Sequence, residues 1–268
     1  MPIHHHDEIH EYSISNYILN ADVIVNMPKP KSHRKAGVTI SLKNFVGANT
    51  RKEFLPHHTK GSIKKGGDEF LPNHFLKNIQ SALMDRKNIN VANHKYKKAG
   101  VDDFLYKCCA HLYKSGYSEG SWYGNDTISR TIVDLNRIIK YADKVGIIKN
   151  TPQRRQIIIA DMIISGEKEG PVTPSPKKVG IIAAGFDPVL FDETIATIMG
   201  FDPKKIPTIR QARSIPDSLV LTNNESSSLL VKSNYQGYNV TNLRDIKKND
   251  ILCFEPSSGW KNHIELER

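Results

Sequence analysis

Several features are missing from this chain, and each absence removes a class of protein. Among 268 residues there are only three cysteines, and two of them, Cys108 and Cys109, are adjacent. A disulfide framework is excluded, and so is a four-cysteine iron–sulfur cluster held within the chain. No apolar run approaches 18 residues, so no membrane span is expected. The N-terminus lacks the basic-then-apolar order of a signal peptide, and the expected compartment is the reducing cytoplasm. Aromatic residues make up only 8% of the chain, and its basic region is punctuated by proline, glycine and carboxylates rather than by aromatic stacking residues, which speaks against nucleic-acid binding. The histidine triplet at 4–6 carries no metal-ligand spacing.

What the chain does have is positive charge, unevenly spread. The formal net charge is +10, and the first 100 residues hold 16 Lys and Arg against 8 Asp and Glu. From Lys29 to Lys65 ten basic residues face one acid, Glu53. A field of this sign attracts phosphates, carboxylates or nucleic acid. Apolar residues at 38% and a length of 268 fit one globular domain with a sizeable core.

Periodicity gives the elements. The run ADVIVNM at 21–27 reads as a strand stopped by Pro28. Ser32 is placed to cap a helix carrying Val38, Leu42, Phe45 and Val46. Residues 47–72 read as a long loop. Helices are expected over 75–87, 101–113 and 127–141, the last with Ile128, Ile132, Leu135 and Ile139 on one stripe. Two apolar runs, 156–164 and 179–184, read as strands covered on both faces. Asp187–Pro188 opens a helix that ends at Gly200. Short strands at 218–221, 229–231 and 251–254 are expected to complete the domain, while Cys253 and Trp260 read as core. The fold class is α/β: a mostly parallel or mixed sheet with flanking helices and a helical insertion at about 73–150, in a single domain spanning 1–268.

Five segments could carry chemistry. In NMPKPKSHRKAG (26–37), just past a strand end, Lys29, Lys31, His33 and Lys35 converge where α/β sheets bind ligands. LPHH (55–58) followed by GGDE (66–69) offers His57, His58, Asp68 and Glu69. This set admits metal ligation, acid–base or hydrogen-bonding work on a substrate, or a purely structural loop. In WYGNDT (122–127), Asn125 and Asp126 either cap the next helix or line a site. In DMIISGEKEGP (161–171), Asp161 must be satisfied if it is buried. Glu167 and Glu169 could face a cation, or simply neutralise the basic stretch. In GFDP (185–188), Asp187 is either a cap or a site residue.

Together these segments resemble the domain-of-unknown-function 362 family. The matching stretches are ADVIVNMPKPKSHRKAG (21–37), VTISLKNFVG (38–47), LPHH with GGDE, WYGNDTISRTIVDLN (122–136), SGEKEGP (165–171) and AGFDPVLFDETIATIMGFD (184–202). The likeness runs from residue 10 to about 213. It implies a fold and, as the family's name declares, no reaction. Some relatives carry ferredoxin-like cluster segments; the cysteines here lack that spacing, so no iron–sulfur cluster is expected. Relatives usually have a strand-rich segment ahead of the region matching Ala21, which makes this chain resemble a short form.

The leading functional expectation is an enzyme acting on a small anionic metabolite: a hydroxy acid, a sugar acid, or a phosphorylated or nucleotide-linked sugar. Lys29, Lys31, Lys35 and Lys43 would neutralise the anion. Asn44, Asn49, Asn125 and Asp126 would contact the substrate, and His33, His57 or His58 would move the proton. His57, His58, Asp68 and Glu69 would hold a divalent metal ion if one assists. The alternative is a non-catalytic polyanion or nucleic-acid binder using the basic 29–65 region.

Overall fold

The computed structural model describes residues 4–6, 9–71, 74–113, 117–216 and 218–267. It is a mixed α/β structure built on two long strands, β6 (Arg155–Glu169) and β7 (Thr173–Gly185), which form an antiparallel hairpin. The first segments are a small β1–β2 pair (His5–His6, Ile9–His10) and α1 (Asn16–Asn20). β3 (Val23–Asn26) and then β4 (Lys31–His33) run parallel to β6, one after the other along its length. Between them lies Met27-Pro28-Lys29-Pro30. Proline has no N–H to give a ladder, so the strand breaks there. One bond crosses the gap, from the Asp161 N–H to the Pro28 carbonyl (3.0 Å). β6 absorbs the offset with a bulge between Met162 and Ile164.

Where a helix capped by Ser32 is expected, the chain makes β4 and an antiparallel β5 (Gly37–Thr39). Ser32 is buried in the sheet and donates to the Glu255 carbonyl (2.7 Å). Gly37 takes a left-handed φ of 78° and lets the Trp260 ring press on its α-carbon. The helix shrinks to α2 (Ser41–Asn44), followed by a 3₁₀ turn over Phe45–Ala48. Its N-terminus is held by Asp192, which accepts from the Ser41 N–H (2.8 Å), the Ser41 hydroxyl (2.5 Å) and the Leu42 N–H (3.2 Å). Complete burial nevertheless wins over those donors and pushes the Asp192 carboxyl up to about 7.

α5 (Thr127–Tyr141) and α6 (Pro188–Met199) supply the main core with Ile128, Ile132, Val189, Ile195 and Met199, against Ile158, Ala160 and Met162 of β6. The helical insertion is narrower than 73–150. It consists of α3 (Phe75–Ala92) and α4 (Tyr96–Leu112), which pack chiefly on each other, whereas α5 belongs to the core. Three further expectations fail. β6 and β7 extend through the Gly/Pro-rich 166–176 segment, leaving only a tight turn. After α7 (Pro207–Arg213) the described chain forms 3₁₀ turns and two isolated bridges, Val231–Val240 and Glu265 to Phe201, rather than strands. The reason is that 226–254 is cut every few residues by Asn, Asp, Ser and Gly, which satisfy backbone groups locally. Cys253 is exposed, with a left-handed φ of 47°, whereas Trp260 is fully buried as expected. No described helix is long and apolar enough to cross a membrane.

Candidate functional site

The β4–β5 turn, α2, the loop at 55–69 and one face of α3 enclose a cleft of about 680 Å³. His33, Lys35, Lys43, His57, His58 and Glu119 stand in it, with Met84 and Val172 as apolar wall. An apolar cleft of about 470 Å³ lies elsewhere, between β7, α6 and 229–233. It holds only Asp187 and Lys232 as charged groups and has no acid–base pair to offer.

Each histidine of the polar cleft is neutral at pH 7, for reasons visible in its surroundings. His33 is buried in the turn, and its Nδ1 accepts the N–H groups of Lys35 and Ala36 (both 3.1 Å). The ring proton is therefore on Nε2. Burial, then the charge of Lys43, holds His33 well below its usual range. His57 has the opposite tautomer: its Nδ1 lies 3.0 Å from the Leu55 carbonyl, an acceptor only, so Nδ1 donates and Nε2 carries the lone pair. His57 keeps an edge open to solvent at the cleft mouth, yet the concave walls desolvate it and, with Lys35, drive it down to about 4. His58 falls to about 4 for the same two causes, and its Nδ1 is buried without a hydrogen-bond partner.

The lysines are equally informative. Lys31, Lys35 and Lys43 are half-buried, and among the described residues none of their ammonium groups makes a hydrogen bond or ion pair. Desolvation lowers all three, and Lys43, which also feels Lys31, comes down to about 8. Lys31 and Lys43 are desolvated with no carboxylate acting on them, and Lys35 feels Glu119, Glu69 and Asp68 only at a distance. Such ammonium groups are costly to keep, and an anion would relieve that cost.

Lys29 stands apart, paired with Asp161 at 2.8 Å on the exposed side of the sheet. Asp161 is therefore not the buried carboxylate its apolar neighbours suggest. Glu167 pairs with Lys177 (3.0 Å), and Glu169 accepts from the Ser258 N–H (2.7 Å) and lies 3.8 Å from Arg34. Asp187 caps α6 through Val189 and Leu190 (both 3.0 Å).

Asn44 donates to Asn26 (2.7 Å), and Asn49 accepts from the Ser13 N–H (3.1 Å). Asn125 binds the carbonyls of His57 and Gly120 and accepts from the Ile128 N–H (3.1 Å), so it braces the loop behind His57. Asp126 ion-pairs with Arg130 (2.8 Å). None of these four lines the cleft.

The carboxylates following the His pair have other duties. Asp68 accepts from the N–H groups of Thr59 (2.5 Å), Asp126 (3.0 Å) and Thr127 (2.7 Å), capping α5 from outside the helix. Glu69 borders the cleft but spends Oε2 on the Gly61 N–H and the Ser81 hydroxyl, both at 2.9 Å. Among the described residues no group of three His, Cys, Asp or Glu side chains is placed to share one metal ion.

The sequence reading passed over Arg34, Ser81, Asp85, Asn88 and Glu119, all of which line the cleft. Only Glu119 leaves a trace in the sequence, as an acid just before a glycine. It holds a left-handed φ of 57° and raises Lys35 electrostatically. Gly120 follows with its own positive φ, and a Cβ there would come within 2.7 Å of the His58 Cβ.

The model of a domain of unknown function, DUF362, matches residues 1–197. The chain belongs to the DUF362 family. The match takes in every cleft residue of this DUF362 protein and stops within α6, so the irregular 214–267 region lies outside it. No curated protein and no solved structure matches the chain.

Proposed function

We propose that this DUF362 protein is an enzyme acting on a small anionic metabolite, with histidine moving the proton. One observation supports the reading: the desolvated Lys35 and Lys43, whose ammonium groups make no ion pair among the described residues, share one cleft with neutral histidines of opposite tautomer. The anion sits against Lys35 and Lys43, with Lys31 behind them. His33 donates from Nε2–H to a substrate oxygen, and His57 accepts a proton at Nε2. The volume exceeds what a bare phosphate needs and suits a ligand with an uncharged part lying along Met84 and Val172. Hydroxy acids, sugar acids, and phosphorylated or nucleotide sugars all fit that description. No step is routed through a metal ion, because Asp68 is committed to capping α5.

The test is a thermal-shift screen of these four ligand classes, followed by turnover assays on each hit. The reading expects a hit that Lys43→Met abolishes, and turnover that falls about 10²–10⁴-fold in His57→Ala with binding retained. Two results would overturn it: no anion hit at all, or steeply salt-dependent binding of single-stranded nucleic acid that ignores His57 and Lys43. The second result would establish the polyanion binder instead.

A further inference from the structure

Along β3 and the stretches of β6 and β7 beside it, the described helices cover one side of the sheet only. Alternation along the paired strands puts Asn26, Ile158, Ala160 and Met162 inward. Their neighbours Val23, Val25 and Met27, then Ile163, Ile164 and Ile182, point the other way and are each 49–66% exposed. Ile157 and Ile159 lie between these ribs. The sequence reading expects β6 and β7 to be covered on both faces, and their outward residues are as apolar as that expectation requires. What is missing is a second layer.

We propose that this open face is the interface of a homodimer, in which the sheets of two copies stack face to face. Six large apolar side chains, each about half exposed or more, add up to several hundred Å² of contiguous surface. That is at or beyond the roughly 300–600 Å² of the largest patch on an ordinary monomer, and approaches the roughly 800 Å² per partner of a stable interface. A second copy also suits the charge. On a chain of net charge +10 most surfaces repel their own kind, but the cation at the centre of this patch, Lys29, is already neutralised by Asp161. Arg155 stands at one end and Lys178 near the other, where long side chains can reach a polar rim. Sheet-on-sheet stacking needs rows of branched side chains that interdigitate at about 10 Å separation, and two-fold symmetry gives both partners the same rows.

Sedimentation velocity from low micromolar to ~100 µM tests the proposal. Wild-type protein should run at twice 30.2 kDa. Ile182→Lys and Val25→Lys should each weaken the dimer at least tenfold with an unchanged circular dichroism spectrum. Leu112→Lys, at the exposed end of α4, should behave as wild type. Footprinting by oxidation needs no substitution: Met27 should be protected at high concentration and oxidised on dilution. The proposal is overturned by a wild-type monomer at the top concentration. It is also overturned by a dimer that both sheet variants leave intact or that only Leu112→Lys breaks. Monomers that pellet with phospholipid vesicles through Ile182 would overturn it in favour of a lipid surface.

Discussion

Two regions of this protein carry nearly the same residue types and treat them differently. Along β6 and β7, Lys29, Lys177 and Lys168 each meet a carboxylate: Asp161, Glu167 and Glu255. In and behind the cleft, Lys35, Lys43 and Lys31 make no ion pair among the described residues, although Glu119 acts on Lys35 from a distance. The positive stretch at 29–65 is therefore not one uniform field. Lys29, Arg51 and Lys60 are ion-paired at the surface, and the charge left available is that of Lys31, Lys35 and Lys43 between them, a distinction made by exposure as well as pairing. The Lys29–Asp161 pair sits in water, where an ion pair contributes little. The cleft lysines have lost much of their hydration, and only Lys35 regains part of that loss, from the field of Glu119.

The largest expected effect falls on chemistry at the cleft, where His57→Ala should cost turnover about 10²–10⁴-fold once a substrate is in hand. Next comes the buried cap. Asp68→Ala strands three N–H groups, and chemical denaturation should show a loss of about 2–4 kcal/mol. Lys43→Met should weaken anion binding about tenfold or more in calorimetry. The same titration in two buffers of different ionisation enthalpy should show proton uptake near pH 8, because the anion restores the proton that Lys43, at about 8 in the free protein, has partly given up.

A smaller effect is the shape of the pH profile. For the free enzyme, kcat/KM should fall below about 4, where His57 gains a proton, and above about 8, where Lys43 loses one. Stability follows the sign of the same shifts. Between pH 6.5 and about 4 the unfolded chain binds protons that folded His57 and His58 refuse, so their contribution drops as pH falls through that window. Asp192 opposes them between 3.8 and about 7, because its folded form holds a proton the unfolded form releases. Thermal melts of Asp192→Asn should therefore show a steeper loss on acidification than wild type. Smallest of all, Lys29→Ala should leave both the melting temperature and anion binding unchanged. Loss of anion binding in that variant would erase the contrast between the two regions.

Helices show what periodicity can and cannot settle. The stripe Ile128, Ile132, Leu135, Ile139 places α5 correctly because a large core rewards a strong amphipathic pattern, and all four residues are buried. α3 and α4 are also legible as helices, yet they lean mainly on each other and leave Phe75, Phe104 and Leu112 exposed. Pattern shows that a helix forms, not what it packs against. The Ser32 expectation fails for a related reason. A serine before apolar residues is a fair cap, but three residues of β4 gain a place between β5 and β6, and distant pairing outweighs local preference.

By itself the sequence determined the class of fold, the family, the concentration of positive charge in the first hundred residues, and the histidines and two of the lysines that line the cleft. These follow from composition, period and local motif, which survive without knowledge of contacts. Only the tertiary structure decided which lysines are paired and which histidine nitrogen carries the proton. It also turned Asp68 and Asn125 from site candidates into supports and left one side of the sheet bare. The pairings depend on partners tens to hundreds of residues away, such as Asp161 beside Lys29 and Thr127 above Asp68. The ring protons of His33 and His57, by contrast, are set by backbone groups two or three residues away once the loops have folded. A carboxylate's role is fixed by the groups that reach it, and in this chain those groups come from distant segments brought together by burial of the core.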